Sequence, residues 1–293
     1  MNIEDIWSNY SERMAEIELF QRATKNAAKE ELKILLDYGK KIEDLPEFKD
    51  MSHSMHNMTF RDARSGQTHS YHHKRLSIED CQQEVLFRKN RQYQWLLAAA
   101  YEEFEDYLHK VYAYCGFSDA NFWPLSDYGN IKLSERNSLE FNWYVEQSHK
   151  KKGAPRSILV SFRQSFPLLQ RHEVDNKLGV NLALAIILIE KLRHIVVHCG
   201  GKAKSKEAFI ELVAKEAGVL SNGKFAPEGR ELIEQFLGAD KYENLVALLE
   251  IRVRPEWPIE SYVCRFGILV NYLMSYGFLL CEMAKVYVKP ARA

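Results

Sequence analysis

Apolar residues recur at steps of three and four along most of this chain, with charged residues filling the positions between them. Ile6, Trp7, Tyr10, Met14, Ile17 and Phe20 form such a series and predict an amphipathic helical arm at the start. A second helix is expected over Glu30 to Tyr38, closing at Gly39, where the missing side chain lets the backbone turn. The periodicity is then lost from about Lys49 to Lys74, a polar stretch rich in Met, Ser and His that reads as a long loop or a hairpin. Ser77-Ile-Glu-Asp80 has the form of a capping box with Asp in place of Glu. It opens the longest periodic run, through Val85, Leu86, Tyr93, Leu97, Tyr101, Phe104, Leu108, Val111 and Tyr112, which is expected to end near Cys115 and Gly116.

From 117 to 155, turn signals such as Trp123-Pro124, Asp127-Tyr-Gly129 and Lys150-Lys-Lys-Gly153 interrupt every periodic segment except Leu139 to Val145. Helical spacing resumes over Ser157 to Leu169 and over Asp175 to His198, with Asp175 as N-cap and Gly200-Gly201 as the stop. Further helices are expected over Ser205 to Ala217, Pro227 to Leu237, Tyr242 to Ile251 and Ile259 to Tyr287. Asn222-Gly223, set between Leu220 and Phe225, suits a small hairpin insertion. The expected fold class is therefore mainly α, built on long helices near 78–115, 175–199 and 258–288. Residues 1–75 are expected to form an N-terminal helical arm and His-rich loop, and 76–293 the main helical domain with a loop-rich insertion around 117–155.

Composition narrows the function. With 46% hydrophobic and 12% aromatic residues in 293, the chain can bury a large core, which excludes a disordered protein. Its 40 basic and 40 acidic side chains cancel, which argues against coating nucleic acid through a global basic field but leaves room for a local basic site. Five scattered cysteines without a CxxC pair suit a reducing compartment, so a cytoplasmic protein is expected. The start, Met1 to Trp7, lacks a basic patch followed by an apolar run, so no secretory leader is expected and the mature protein is expected to begin here. Leu182 to Ile189 is the most apolar stretch, but Glu190, Lys191 and Arg193 follow at once, far short of the roughly 20 apolar residues a membrane span needs. A buried helix is expected there, and no membrane partner.

Candidate chemistry concentrates in Glu190-Lys-Leu-Arg-His-Ile-Val-Val-His-Cys-Gly-Gly201. On a helix, His194 and His198 lie one turn apart on one face, with Glu190 one turn before His194. Arg193 points elsewhere but stays within reach of the same end, and the two glycines leave room for a phosphate. Histidine titrates at about 6.5, so two can share base and acid work near neutral pH. Arginine stays charged and offers a phosphate a planar fork of donors. Such a set suffices for RNA cleavage without a metal. A base takes the 2′-hydroxyl proton, the arginine stabilises the phosphorane, and a histidine protonates the leaving 5′-oxygen.

Arg193-His194-Ile-Val-Val-His198 resembles the signature of the HEPN superfamily (higher eukaryotes and prokaryotes nucleotide-binding domains): an Arg, a polar residue, and a His four to six residues after the Arg. The apolar helix before it, the glycines after it, the segment Ala98-Ala-Ala-Tyr-Glu-Glu-Phe-Glu105 and the long final helix resemble that family's helical bundle. By architecture the likeness spans residues 78 to 288, by motif about a dozen residues. It implies a homodimer that brings two motifs into one cleft. The implied activity is a metal-independent, cofactor-free endoribonuclease leaving 2′,3′-cyclic phosphate and 5′-hydroxyl ends, in a toxin–antitoxin or antiviral defence system with its own partner protein. In that likeness Arg193 binds the phosphate and stabilises the transition state, His198 is the general acid or base, and His194 fills the polar second position. An acidic residue sometimes joins such a site, and Glu190, Glu102, Glu103 and Glu105 all remain open, with Glu190 ranked as a residue that orients the site from behind. The alternative class of function is a non-catalytic helical module that binds a protein or nucleotide. A nucleotide-regulated sensor is a third class, although no GxxxxGKS or GxGxxG pattern occurs.

Lys150, Lys151, Lys152 and Arg156 are candidate contacts to an RNA backbone, against the plainer reading of a solvated loop. His53, His56, His69, His72 and His73 show no interleaved Cys or Asp pattern and lie in a region without clear periodicity, so no metal site is expected there. Cys199 is adjacent to His198 and so is not expected to face it as a nucleophile faces its base. Tyr93, Tyr101, Tyr107, Tyr112 and Tyr114 sit at helical spacing, which points to core or interface rather than to base stacking.

Overall fold

Several helices begin where a polar side chain can satisfy the first unpaired backbone amides. In the computed structural model, which describes residues 2–42, 45, 52–220, 225–254, 256, 258 and 260–288, the Asp80 amide donates to the Ser77 hydroxyl and the Ser77 amide to the Asp80 carboxylate, each at 3.1 Å. This reciprocal pair is the expected capping box, and it heads α2 (Ile78–Ser118). Before α2 come α1 (Ile3–Ile42) and the antiparallel hairpin of β1 (Ser54–Arg61) and β2 (Thr68–Leu76). After it come α3 (Phe141–His149), α4 (Arg156–Ser165), α5 (Leu169–Val174), α6 (Leu182–His198), α7 (Lys206–Glu216) and α8 (Pro227–Glu234). A second antiparallel pair, β3 (Glu250–Val253) and β4 (Ser261–Cys264), leads into α9 (Arg265–Tyr287). The protein is mainly α, with two small sheets.

The chain divides into two units, Phe20–Tyr93 and Met1–Leu19 with Gln94–Ala293; α1 and α2 each contribute to both, and the expected division at 75/76 falls inside the first. In Phe20–Tyr93, Ala28, Leu35 and Val85 form a small core against which Leu32 and Cys81 pack. Gln21 donates to the buried Tyr93 hydroxyl at 2.6 Å. In the larger unit α6 and α9 pack on each other and on α5, α6 also packs on α7, and Tyr101, Phe104, Tyr107, Tyr112 and Tyr276 are fully buried. Tyr10 stacks on Tyr107 with ring centroids 4.5 Å apart, and the Tyr107 hydroxyl donates to the Gly277 carbonyl at 2.8 Å. A Cβ at Gly277 would stand 2.9 Å from the Tyr10 ring, so this close approach needs glycine. Glu173, 4% exposed, is held by Arg163 at 2.8 Å and by the Tyr276 hydroxyl at 2.5 Å.

Four expectations are corrected. The two N-terminal helices are one, because Gln21 to Lys29 contains neither glycine nor proline and includes Ala23, Ala27 and Ala28, good helix formers. Asp175 caps the end of α5 instead of starting α6. The turn that follows is held by the Asn176 side chain, which donates to the Val180 carbonyl at 2.8 Å, so Asn181 becomes the N-cap of α6 and accepts from the Leu184 amide at 3.0 Å. Tyr242 to Ile251 is not a helix: Asp240 (φ 52°) and Asn244 (φ 67°) are left-handed, and Leu245 and Val246 form isolated bridges to Lys202 and Leu237. The final helix starts at Arg265, its preceding residues being spent in β4. The Asn222-Gly223 hairpin, Lys49 to Met51 and Ile259 lie outside the described residues. α9 is the one helix among the described residues long and apolar enough to cross a membrane, and half of its apolar window is buried within the protein.

Candidate functional site

The register of α6 sets its chemistry. Leu182, Leu184 to Ile189, Leu192, Ile195 and Val196 are buried, which leaves Arg193, His194, Val197 and His198 at or near the surface of the last two turns. Both histidines are exposed, with ring centroids 4.7 Å apart and planes tilted by 48°. Past the C-cap at Cys199, Gly200 (φ 63°) and Gly201 (φ 80°) take left-handed conformations, as the Gly-Gly stop requires. The Gly201 amide donates back to the Ile195 carbonyl at 3.0 Å, the Val246 amide to the Gly201 carbonyl at 2.8 Å, and the Ala203 amide to the Asn244 carbonyl at 2.8 Å. Residues 244–246 therefore hold the end of α6.

Arg193 is 27% exposed in its side chain, and its Nη2 donates to Glu102 Oε1 of α2 at 3.1 Å. Its Nε is buried without a hydrogen-bond partner, a shortfall of roughly 1–3 kcal/mol that an incoming acceptor would relieve. Glu105, one turn along α2, feels the same guanidinium. Burial lifts its carboxyl above the ordinary value, Arg193 opposes that, and the charges of Glu190 and Glu102 add to the lift. Of the four acids left open by the sequence, Glu102 is the one paired with Arg193.

Glu190 is engaged elsewhere. It accepts from Arg156 Nε at 2.9 Å and Nη2 at 2.7 Å and lies 3.4 Å from the Lys191 ammonium, while Glu216 of α7 pairs with Lys191 at 2.8 Å and with Arg156. The hydrogen bond to Glu190 leads the effects that hold the Arg156 guanidinium charged more firmly than usual. Burial pushes the Glu216 carboxyl up, but the hydrogen bonds from Lys191 and Arg156 outweigh it and leave the carboxyl below its usual range. Nothing in the sequence pointed to Glu216. Lys151 is tied to Asp127 and lies over the Tyr112 ring, 5.1 Å from its centroid, so it and Arg156 are both occupied inside the protein. Lys150 and Lys152 are exposed. The candidate backbone contacts thus do not act as one patch.

Glu102 also lines a cleft of about 590 Å³ with Glu12, Glu16, Glu103 and Asp106. Acids outnumber the two cations there, Arg13 and Lys110, so the cleft side of Glu102 carries excess negative charge. The hairpin histidines are spread along β1 and β2, His56 beside Ser54 at 2.7 Å and His73 beside Asn57. Among the described residues no three His, Cys, Asp or Glu side chains gather as a metal centre would. Cys199 is exposed, and all five cysteines are free thiols. No protein-family model, no curated protein and no solved structure matches the chain.

Proposed function

We propose that the protein is a HEPN-like, metal-independent endoribonuclease of the cytoplasm, acting as a homodimer in a defence or toxin system that supplies a partner to restrain it. The observation that carries this reading is the exposed pair His194 and His198 beside Arg193, two imidazoles and a guanidinium at one helix end. In this reading a histidine accepts the 2′-hydroxyl proton as the 2′-oxygen bonds to phosphorus. The bond from phosphorus to the 5′-oxygen breaks, and a second imidazole protonates that oxygen. Arg193 stabilises the charge on the phosphorane, and turning its guanidinium out of the Glu102 pair presents the unbonded Nε to a phosphate oxygen. His198 is the acid or base and His194 its neighbour in that exchange. Purified protein incubated with RNA in EDTA should leave 2′,3′-cyclic phosphate ends. Arg193→Ala and His198→Ala should each abolish the products, and identical behaviour of wild type and both variants on every RNA tried sinks the reading.

One observation favours the second reading, a non-catalytic helical module: Arg193 is three-quarters buried and ion-paired to Glu102, as a structural arginine would be. In that case Arg193→Ala lowers stability and changes no RNA.

A further inference from the structure

We propose that His194 and His198 form a two-imidazole chelate for a borderline divalent ion of the zinc, nickel or copper class, and that an ion seated there switches off the cleavage proposed above. The chelate stands on geometry alone; the switch rests on the nuclease reading. The two side chains are one helical turn apart, both exposed, with centroids 4.7 Å apart, and neither has a hydrogen-bond partner among the described residues. Their nitrogen lone pairs are free, and both rings can turn on their side-chain torsions without disturbing the core. Zinc–nitrogen bonds of about 2.0–2.1 Å in a tetrahedral shell put two donor nitrogens roughly 3.3 Å apart, a separation that rings this close can reach.

The position also suits a cation. The last turn of α6 is the negative end of its dipole, and the positive charge of Arg193, adjacent to His194 in the chain, is offset by Glu102. Imidazole nitrogens select zinc, nickel or copper over magnesium, which demands oxygen ligands. Because no third protein ligand gathers there among the described residues, Cys199 included, water fills the remaining positions and the ion exchanges freely. Such a site responds to the free-ion level; it does not hold the fold. A nitrogen bonded to a metal neither takes nor gives a proton, so occupancy removes both imidazoles from acid–base work.

Calorimetric titration of Ni2+ and of Zn2+ into the full chain, without RNA, tests the chelate, with Mg2+ as the comparison ion. One ion should bind per chain, and affinity should fall at least about tenfold in His194→Ala and in His198→Ala. It should persist when His69→Ala and His72→Ala are combined, since the hairpin carries a separate group of exposed imidazoles. Both α6 positions are exposed, and circular dichroism would confirm that each variant is folded. Unchanged binding in the two α6 variants, or loss only in the hairpin variant, overturns the chelate. For the switch, excess Zn2+ should stop RNA cleavage and EDTA restore it, and cleavage that persists at saturating Zn2+ overturns it. Absence of cleavage under every condition counts against the nuclease reading and the switch together, while calorimetry decides the chelate independently.

Discussion

Glu173 and Glu102 each hold an arginine, in different surroundings. Glu173 is 4% exposed, and removing it leaves Arg163 without its counter-charge beside the buried Tyr276 hydroxyl. Glu173→Ala should therefore lower the unfolding free energy by roughly 3–5 kcal/mol in urea titrations. Glu102 is 59% exposed where it meets Arg193, and a pair so open to water contributes no more than about 1 kcal/mol. Glu102→Ala should shift the urea midpoint little, and a loss as large as that of Glu173→Ala would make Arg193 a structural residue. At this scale the sequence groups Arg193, His194 and His198 because one helix carries all three. It leaves the acidic partner open because Glu102 is 91 positions away, and periodicity within one helix carries no register to another.

At the scale of elements, the legible features were those with a local chemical cause. The capping box at Ser77, the Ser205 cap of α7 and the glycines after α6 all stand where the side chains and backbone freedom put them. The misread elements had a cause elsewhere. Leu245, Val246 and Leu248 have a spacing that fits a helix, yet they meet their neighbours from an extended segment bonded to Gly201 and Phe236. Asn181 was overlooked because Asp175 is an equally good cap by type, and only the turn held by Asn176 distinguishes them. Since the Asn181 oxygen satisfies the Leu184 amide, Asn181→Ala should destabilise the larger unit by about 1 kcal/mol, read as a lower urea midpoint at unchanged slope. No change would mean that water replaces the cap fully.

Across the whole molecule, acid should act through His109. Its ring stacks on His149 with centroids 4.2 Å apart, and its Nδ1 is buried without a partner. Burial, with the charge of His149 adding, lowers its pKa to about 4, against opposing pulls from Asp106 and from a hydrogen bond with the Ser148 backbone. The unfolded chain binds this proton from about pH 6.5 downward, the folded chain only near pH 4, so the stabilisation present above 6.5 is lost as pH falls through that window. His109→Gln should flatten the fall in urea midpoint between about pH 6.5 and about pH 4; an unaltered slope would place the sensitivity elsewhere. The close of α6 has a consequence of a different kind. Helix ends ordinarily fray, and their amides exchange with solvent long before the core opens. Here the final turn is spliced by Gly201 and Ala203 to residues more than forty positions further along the chain. The backbone order beneath the two histidines is thus a product of long-range closure: it should be lost only when residues 244–246 come away, and it leaves only the side-chain torsions to be fixed when something binds the rings.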